Sequence, residues 1–222
     1  MKWLITRSPE ACEAWQAELN ADGINLVGIS FLEFQMIPIT EFPTCDWVFF
    51  TSKNGVKYFF DQWEKPISCK IAAIGKATAE AIKTRSYIPD YIPEGHINSA
   101  LNVFNTIATN QTIAWVKALN SAMSVEEKLK DVKSITPVVV YENKIAAKQL
   151  NEAFDGVVFT SPMNVEGFLV HNQIKHGNLI ISIGPSTSKC LKDNGIHEFH
   201  EMELAEMKYI VQKIKSLKGI NP

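Results

Sequence analysis

The stretches VFFTSKNGV (residues 48–56) and VVFTSPMNV (residues 157–165) share an apolar run that ends in Phe-Thr-Ser. Such a run followed by hydroxyl residues predicts a buried strand that leads into a helix. Ser52 and Ser161 suit the N-cap of that helix, and Pro162 suits its first turn. Two interpretations are open, since the hydroxyl pairs either only cap the helices or also form half of an anion-binding site.

The two stretches belong to an internal repeat. Shifting the chain by 109 residues, the interval from Val48 to Val157, aligns them without gaps and extends the match well beyond them. A period of this length is too long for a solenoid and predicts a duplicated domain. The matching pairs are Asp46/Asp155, Val48/Val157, Phe50/Phe159, Thr51/Thr160, Ser52/Ser161, Val56/Val165, Phe59/Phe168, Ile71/Ile180, Ile74/Ile183, Gly75/Gly184, Thr78/Thr187 and Lys83/Lys192.

Both halves alternate apolar strands with helices, which is typical of parallel βαβ units with helices on both faces of a sheet. Besides the opening stretches, the predicted strands are KWLIT, FQMIPI, IAAIG, TIAWV, PVVVYE and IISIG. Ser8 with Pro9 predicts the start of the first helix, and Ser124 with Glu127 forms a capping box for a helix after TIAWV. EMKYIVQKIKSLKG is a predicted closing helix whose apolar face is Met207, Ile210, Val211, Ile214 and Leu217.

The loops after the strands are the candidate binding elements, because ligands of such sheets lie beyond the carboxyl ends of the strands. Residues 75–78 (GKAT) and 184–187 (GPST) open helices, where glycine lets a ligand approach and free amides attract anions. The alternative is an ordinary strand-to-helix turn, and neither loop fits a nucleotide-binding motif. Four such helix starts on two sheet edges predict a cleft between the domains for a ligand with several carboxylates.

Single side chains near the strand ends add further candidates. Arg7 and Lys76 bring positive charge, with a solvated surface role equally open for each. Tyr141 ends the apolar run in VVVYENK and either packs with a solvated hydroxyl or donates a proton at the domain junction. No nucleophile elbow, Ser-His-Asp pattern or paired carboxylates stand out. An enzyme of this kind is therefore expected to work by positioning its substrate.

The five histidines form neither a metal site nor a catalytic set by sequence. His197 and His200 lie in GIHEFHEME, which we interpret as a short strand and loop with too few ligands for a metal. His96, His171 and His176 fall in predicted loops without a visible partner. We predict no metal site.

The composition excludes several function classes. The 222 residues are 46% apolar and 21% charged, which suits one large or two small domains with an ordinary core. A net charge of −2 gives no support to nucleic-acid binding, and no run approaches a membrane span. The first fifteen residues turn polar after the fifth, so we do not expect them to be a secretory signal. Scattered cysteines predict reduced, structural thiols in a cytoplasmic protein; they are Cys12, Cys45, Cys69 and Cys190.

Six motifs in order resemble the uroporphyrinogen-III synthase family over nearly the whole chain: ITRSPE, FTSKNGV, AAIGKAT, VVVYENK, FTSPMNV and SIGPSTSKCL. The resemblance implies an α/β fold of two similar parallel-sheet, three-layer domains joined by a two-stranded linker, with the active cleft between them. The repeated halves then exchange their first βα units. Carried onto this sequence, residues 1–36 and 144–222 form one domain, 41–138 form the other, and 37–40 and 139–143 are the linker strands.

The resemblance also implies a reaction. Family members close the linear tetrapyrrole hydroxymethylbilane into uroporphyrinogen III, with loss of water and inversion of ring D through a spiro intermediate, and need no cofactor. The many carboxylates of this substrate suit the neutral donors described above. We expect Tyr141 to assist departure of the hydroxyl group as a proton or hydrogen-bond donor. The predicted substrate-binding residues are Arg7, Thr51, Ser52, Asn54, Lys76, Thr78, Ser161, Ser186 and Thr187.

Two segments depart from the family pattern. GISFLEFQMIPI lacks a proline-rich approach, and WVKALNSAMSVEEKL lacks a glycine- and arginine-containing loop, for which Lys117 and Asn120 are candidate substitutes. We expect a monomer that makes transient contact with hydroxymethylbilane synthase. The rival interpretation is a two-lobed α/β protein that binds or senses a small anion without catalysis. A two-domain glycosyltransferase is disfavoured, because the chain is short and carries no nucleotide motif.

Overall fold

The computed structural model describes residues 1–93, 97–121, 125–204 and 206–219. The strands within these residues are β1 (Lys2–Ile5), β2 (Asn25–Gly28), β3 (Leu32–Met36), β4 (Trp47–Phe50), β5 (Lys70–Ala73), β6 (Thr112–Ala118), β7 (Ser134–Ile145), β8 (Gly156–Phe159), β9 (Leu179–Ser182) and β10 (His200–Glu201). The helices are α1 (Glu13–Ala21), α2 (Lys53–Phe60), α3 (Lys76–Lys83), α4 (Ile97–Ile107), α5 (Pro162–Leu169), α6 (Pro185–Asp193) and α7 (Met207–Leu217).

The chain divides into two compact units. The first unit is Met1–Glu33 with Lys144–Pro222, and the second unit is Phe34–Asn143. The chain therefore crosses from one unit to the other twice, inside β3 and inside β7. Both segments predicted as linkers belong to the second unit: residues 37–40 follow β3 without regular structure, and residues 139–143 lie inside β7.

The sheet of the first unit has the strand order β10-β9-β8-β1-β2, and its neighbouring strands pair in parallel. The alternation of side chains along β1 defines its two faces. Trp3 and Ile5 pack with Leu19 of α1 and with the buried face of α7, whereas Leu4 packs with α5 and α6 on the other face. The predicted apolar face of α7 is confirmed, since its central residues are buried in this core.

The sheet of the second unit has the order β3-β7-β6-β4-β5, with β4 parallel to β5 and β6, and β6 parallel to β7. Val48 and Phe50 pack against α2 and α3 on one face. Trp47 and Phe49 pack on the other face against Phe104 of α4, whose ring stacks on that of Phe49 at 4.8 Å. Each sheet is thus covered on both faces, which confirms the predicted three-layer α/β fold.

Two predicted element boundaries are displaced in the structure. FQMIPI is a strand only to Met36, because Pro38 has no N–H to donate to a ladder. Pro9 opens a 3-10 turn and α1 begins only at Glu13, while the Ser8 hydroxyl makes no cap bond. Where a Cβ on Gly28 would stand, the backbone of this turn is 3.0 Å away, so the chain packs tightly on β2 before the helix begins.

The helix expected after TIAWV is absent from described residues 125–133, which form turns and bends. Ser124 of the predicted capping box lies outside the described residues. Val125 and Leu129 are nevertheless buried in the core beside α4. One turn of chain therefore covers this part of the sheet and replaces the predicted helix.

Candidate active site

Ser52 caps α2 at the carboxyl edge of the second unit's sheet, as predicted. Its backbone is extended, and its Oγ accepts a hydrogen bond from Gly55 N at 3.0 Å. The preceding residue, Thr51, accepts a hydrogen bond from Trp115 Nε1 at 3.4 Å through its Oγ1. The Thr-Ser pair is thereby fixed to β6 on one side and to the helix start on the other.

Tyr141 reaches this helix start from β7. Its hydroxyl oxygen lies 3.3 Å from Ser52 Oγ, and its side chain is only 6% exposed. A β-bulge makes this possible, because Ala118 of β6 pairs with Tyr141 although the preceding residue of β6 pairs with Val139. Val140 and Tyr141 consequently point into the same core, whereas successive residues of a regular strand point to opposite faces. The bulge thus aims the tyrosine at α2.

Two aromatic rings surround the Tyr141 side chain. Tyr58 of α2 stacks on it with ring centroids 5.0 Å apart and an interplanar angle of 22°, and Phe34 lies at 6.0 Å. Tyr58 also donates a hydrogen bond from its hydroxyl to the Phe34 carbonyl at 3.4 Å. Burial raises the pKa of Tyr141, against the lowering effect of its hydrogen bond with Ser52. The Tyr141 hydroxyl therefore stays protonated around neutral pH and is able to donate.

The remaining candidates of the second unit lie on the starts of α2 and α3. Asn54 is half-buried in the first turn of α2. Gly75 precedes α3 with a positive φ of 82°, which favours glycine, and the space beside its Cα is open. Lys76 is exposed at the first position of the helix, and Thr78 is 4% exposed. Their substrate-binding roles stay predictions.

Ser161 occupies the equivalent position in the first unit and confirms the second predicted N-cap. Its Oγ accepts hydrogen bonds from Asn164 N at 3.2 Å and from Asn164 Nδ2 at 2.9 Å. The Asn164 Oδ1 in turn accepts from Phe31 N at 3.0 Å. Thr160 is held by Thr6, which accepts from the Thr160 amide at 2.9 Å and whose carbonyl accepts from the Thr160 hydroxyl at 2.6 Å. Amide and hydroxyl contacts therefore hold this helix start in place.

The other carboxyl-edge candidates of the first unit differ in exposure. Ser186 is exposed in the first turn of α6. Thr187 is 1% exposed, and its buried Oγ1 has no hydrogen-bond partner within the described part of the chain. Arg7 follows β1 and is half-buried, and burial lowers the pKa of its guanidinium group while the Cys12 thiol opposes this shift. The roles of these three residues stay predictions.

The helices α2 and α5 of the two copies differ at several positions, and the sequence interpretation missed the one that lies beside Tyr141. Tyr58 of α2 corresponds to Gly167 of α5 under the 109-residue shift. A Cβ on Gly167 would stand 2.8 Å from Phe31 Cβ and 2.9 Å from the Phe31 carbonyl oxygen. One copy thus uses this position to stack on Tyr141, and the other uses it for close approach of the backbone. The break between matched neighbours was the signal available in the sequence.

Lys117 and Asn120, the candidate substitutes for the family's glycine- and arginine-containing loop, both contact other residues of the second unit. Lys117 places its Nζ 4.2 Å from the centre of the Trp115 ring. Asn120 donates from Nδ2 to the Asn143 carbonyl at 2.8 Å and accepts from Asn143 N at 3.3 Å. The two Asn120 hydrogen bonds anchor the segment after β6 to β7, while the Lys117 contact stays within β6.

The described residues contain neither a metal-binding cluster nor a helix that could span a membrane. His200 lies in β10, where burial lowers its pKa, and His96 lies outside the described residues. Across the described ranges, no group of three or more His, Cys, Asp or Glu side chains is arranged to hold a metal ion. In the same ranges, no helix has the length and apolar character needed to cross a membrane.

The fold and these helix starts define a duplicated parallel α/β protein, in which one copy also presents a buried tyrosine hydroxyl at a capped helix start. A family model described as uroporphyrinogen-III synthase HemD matches residues 4–212. The chain therefore belongs to the uroporphyrinogen-III synthase HemD family, and the resemblance drawn from its six motifs is confirmed.

Known proteins show how far this similarity reaches. The chain is 26% identical over 196 residues to the porphyrin biosynthesis protein HemD of Ruminiclostridium josui, a match covering 76% of this chain and 38% of that protein. The chain thus spans well under half the length of this curated relative.

Two solved structures share the fold. The uroporphyrinogen-III synthetase of Helicobacter pylori 26695 matches with a TM-score of 0.70 and 17% identity, covering 97% of this chain and 99% of that one. A mutant uroporphyrinogen III synthase of the extremely thermophilic bacterium Thermus thermophilus matches with a TM-score of 0.62 and 16% identity, covering 99% of both chains. At these identities the structural similarity supports the fold alone.

Proposed function

We propose that this chain is a uroporphyrinogen-III synthase, a cyclising lyase that converts hydroxymethylbilane into uroporphyrinogen III with loss of water and inversion of ring D. The observation that carries the proposal is the family match over residues 4–212, which spans both units. The rival, a two-lobed protein that binds a small anion without chemistry, leaves this match unexplained.

Tyr141 is the proposed donor to the departing hydroxyl group. Its raised pKa keeps the proton in place, Ser52 fixes the hydroxyl at 3.3 Å, and Tyr58 fixes the ring. Proton or hydrogen-bond donation there eases loss of water and leaves an electrophilic azafulvene. Ring D then attacks through its substituted carbon to give a spiro intermediate, which cleaves and recloses with ring D turned round. The protein's main task is to control which carbon attacks, and orientation is a large contribution to such control.

The substrate's acetate and propionate groups are proposed to bind at the helix starts of α2, α3, α5 and α6. Ser52 caps the amide of Gly55, and the earlier N–H groups of α2 have no partner inside the helix, so they are proposed to bind a carboxylate. At α5, Pro162 brings no N–H to the first turn, so the Ser161 hydroxyl is the proposed contact there. Arg7 and Lys76 add positive charge at the same sheet edges. Because much of this binding is through the main chain, most single substitutions are expected to have small effects.

The proposal extends to the setting of the reaction. We propose a cytoplasmic monomer that makes transient contact with hydroxymethylbilane synthase and requires no cofactor. All four cysteines are free, as is usual for proteins of a reducing compartment.

The deciding experiment supplies hydroxymethylbilane to the purified chain, oxidises the products and separates the porphyrin isomers. We expect the type III isomer in excess over a protein-free control, in which the unrearranged type I isomer forms spontaneously. Formation of type I alone at ample protein concentration would reject the proposed activity. Tight binding of the bilane together with that result would favour the non-catalytic rival.

A further inference from the structure

Two thiols that are 24 residues apart in the sequence meet at the amino-terminal edge of the second unit's sheet. Cys45 precedes β4 and Cys69 precedes β5, and the Cys45 thiol donates a hydrogen bond to Cys69 Sγ at 3.4 Å. Beside them, Lys70 N donates a hydrogen bond to the Asp46 carbonyl at 3.0 Å. The backbone pairing of β4 with β5 therefore already holds the amino-terminal ends of both strands together. This edge is opposite the one that carries Ser52.

The backbone around the pair suits a disulfide. Extending the register in which Trp47 pairs with Lys70 places Cys69 beside Asp46, so Cys45 is diagonal to Cys69. A strand spacing of about 4.8 Å and a rise of about 3.3 Å per residue put diagonal Cα atoms about 6 Å apart, and a disulfide accepts Cα separations of about 4.4–6.8 Å. The two sulfurs need to move from 3.4 Å to about 2.05 Å, which side-chain rotation supplies without breaking the ladder. The other two thiols hydrogen-bond to carbonyl oxygens, Cys12 to that of Ser8 and Cys190 to that of Pro162.

The hydrogen bond makes the two thiols chemically unequal. It lowers the pKa of Cys69, which accepts it, and raises the pKa of Cys45, which donates it and is also partly buried. The thiolate is the form that reacts with peroxides and disulfides. Cys69 is therefore the attacking sulfur, and Cys45 is the thiol positioned to resolve the product.

A pocket gives small oxidants access to the pair. Both half-buried cysteines line a cavity of about 230 Å³ together with Phe42, Trp63 and Lys65. A water molecule takes about 30 Å³ of liquid volume. The cavity is therefore large enough to admit hydrogen peroxide to the cysteine pair.

We propose that Cys45 and Cys69 form a redox modification site, which hydrogen peroxide converts into a disulfide. The Cys69 thiolate attacks one peroxide oxygen, an S–O bond forms, the O–O bond breaks, and the leaving hydroxide takes up a proton to become water. The Cys45 sulfur then attacks the Cys69 sulfenic acid, an S–S bond forms, the S–O bond breaks, and the hydroxyl leaves as water with the Cys45 proton. Two thiols lose two electrons in total, and one peroxide is reduced to two waters.

The cross-link closes a loop that contains α2 and ties β4 to β5. Such closure restricts the unfolded chain, so the thermal midpoint is expected to rise by at least about 5 °C. The chemistry of the thiol pair does not depend on the reaction proposed above. Because the pair is at the opposite sheet edge from Ser52 and Tyr141, turnover is expected to change by less than about twofold on oxidation.

The test exposes the reduced full chain to equimolar hydrogen peroxide and counts thiols in denaturant with a colorimetric thiol reagent. We expect four free thiols before oxidation and two afterwards, with the mass lower by two hydrogens. Peptide mapping without reductant is expected to join Cys45 to Cys69, and dithiothreitol is expected to restore four thiols.

Matched variants separate this pair from the other cysteines. Cys45→Ser is expected to block the cross-link and leave Cys69 as a sulfenic acid that dimedone traps, while Cys12→Ser and Cys190→Ser still lose two thiols. Cys45→Ala and Cys69→Ala serve if a serine variant folds poorly, as judged by circular dichroism. A disulfide that maps elsewhere, equal loss of all four thiols, or over-oxidation of Cys69 without cross-linking overturns the proposal.

Discussion

Ser52 Oγ lies 3.3 Å from the Tyr141 hydroxyl oxygen while it accepts a hydrogen bond from Gly55 N at 3.0 Å. One serine therefore caps a helix and holds a tyrosine hydroxyl at the same helix start. The equivalent Ser161 caps its helix too, but its second partner is the side-chain amide of Asn164, which donates from Nδ2. Capping and contact with Tyr141 are thus parts of one arrangement in the second unit, so the cap does not exclude the proposed binding role of this Thr-Ser pair.

Replacing Tyr141 with Phe is expected to slow formation of the type III isomer at least about tenfold, or about 1.4 kcal/mol in activation free energy. The ring and its stacking on Tyr58 remain, so only the proposed proton donor is lost. Steady-state kinetics with hydroxymethylbilane give the measurement. Tyr58→Phe is the control, since it removes only a 3.4 Å hydrogen bond to Phe34, and its turnover should stay within about twofold. A fully active Tyr141→Phe enzyme would sink the proton-donor role.

Ser52→Ala and Ser161→Ala form a matched pair across the repeat. Each removes an N-cap and is expected to lower the free energy of unfolding by about 1 kcal/mol. Their turnover should differ, because only Ser52 also holds the Tyr141 hydroxyl. We expect Ser161→Ala to reduce turnover less than about tenfold and Ser52→Ala to reduce it more than Ser161→Ala does. Urea unfolding and the isomer assay measure the two effects, and equal losses of turnover would show that the Ser52 contact is structural only.

The sequence predicted what short-range chemistry determines. The N-caps at Ser52 and Ser161 follow from a few neighbouring residues, and the apolar face of α7 follows from the spacing of its apolar residues at three and four positions. The orientation of the Tyr141 side chain could not be predicted in this way, because the bulge depends on the pairing of β6 with β7. The absence of the predicted helix from residues 125–133 has a similar cause, since Val125 and Leu129 fill the core from a single turn. The Cys45–Cys69 contact was missed because it arises from the pairing of β4 with β5 and not from a spacing motif.

Alkaline pH is expected to destabilise the protein partly through Tyr141. Burial raises its pKa in the folded chain above the value of about 10 that an unfolded tyrosine has. Below that pH both states hold the proton, so the contribution is fully present. As the pH rises further, the unfolded chain loses its proton first and the free energy of unfolding falls. Urea unfolding between about pH 8 and pH 11 should show a steeper fall for the wild type than for Tyr141→Phe. Burial of Tyr91 also raises its pKa, so a weaker slope should remain in the variant, and identical slopes would contradict the expectation.

Gly167→Ala tests the helix position at which one copy carries Tyr58 and the other carries glycine. A Cβ there would stand 2.9 Å from the Phe31 carbonyl oxygen, and a backbone atom cannot rotate away as a flexible side chain does. We expect the strain to outweigh the gain in helix propensity and to lower the free energy of unfolding by about 1–3 kcal/mol. Glu166→Ala, an exposed neighbour on the same helix, should change it by less than about 0.5 kcal/mol. Urea unfolding compares the two variants with the wild type. An unchanged or more stable Gly167→Ala protein would mean that α5 moves away from Phe31 without cost. In that case, close approach of the backbone would not explain why this position holds glycine when the other copy holds Tyr58.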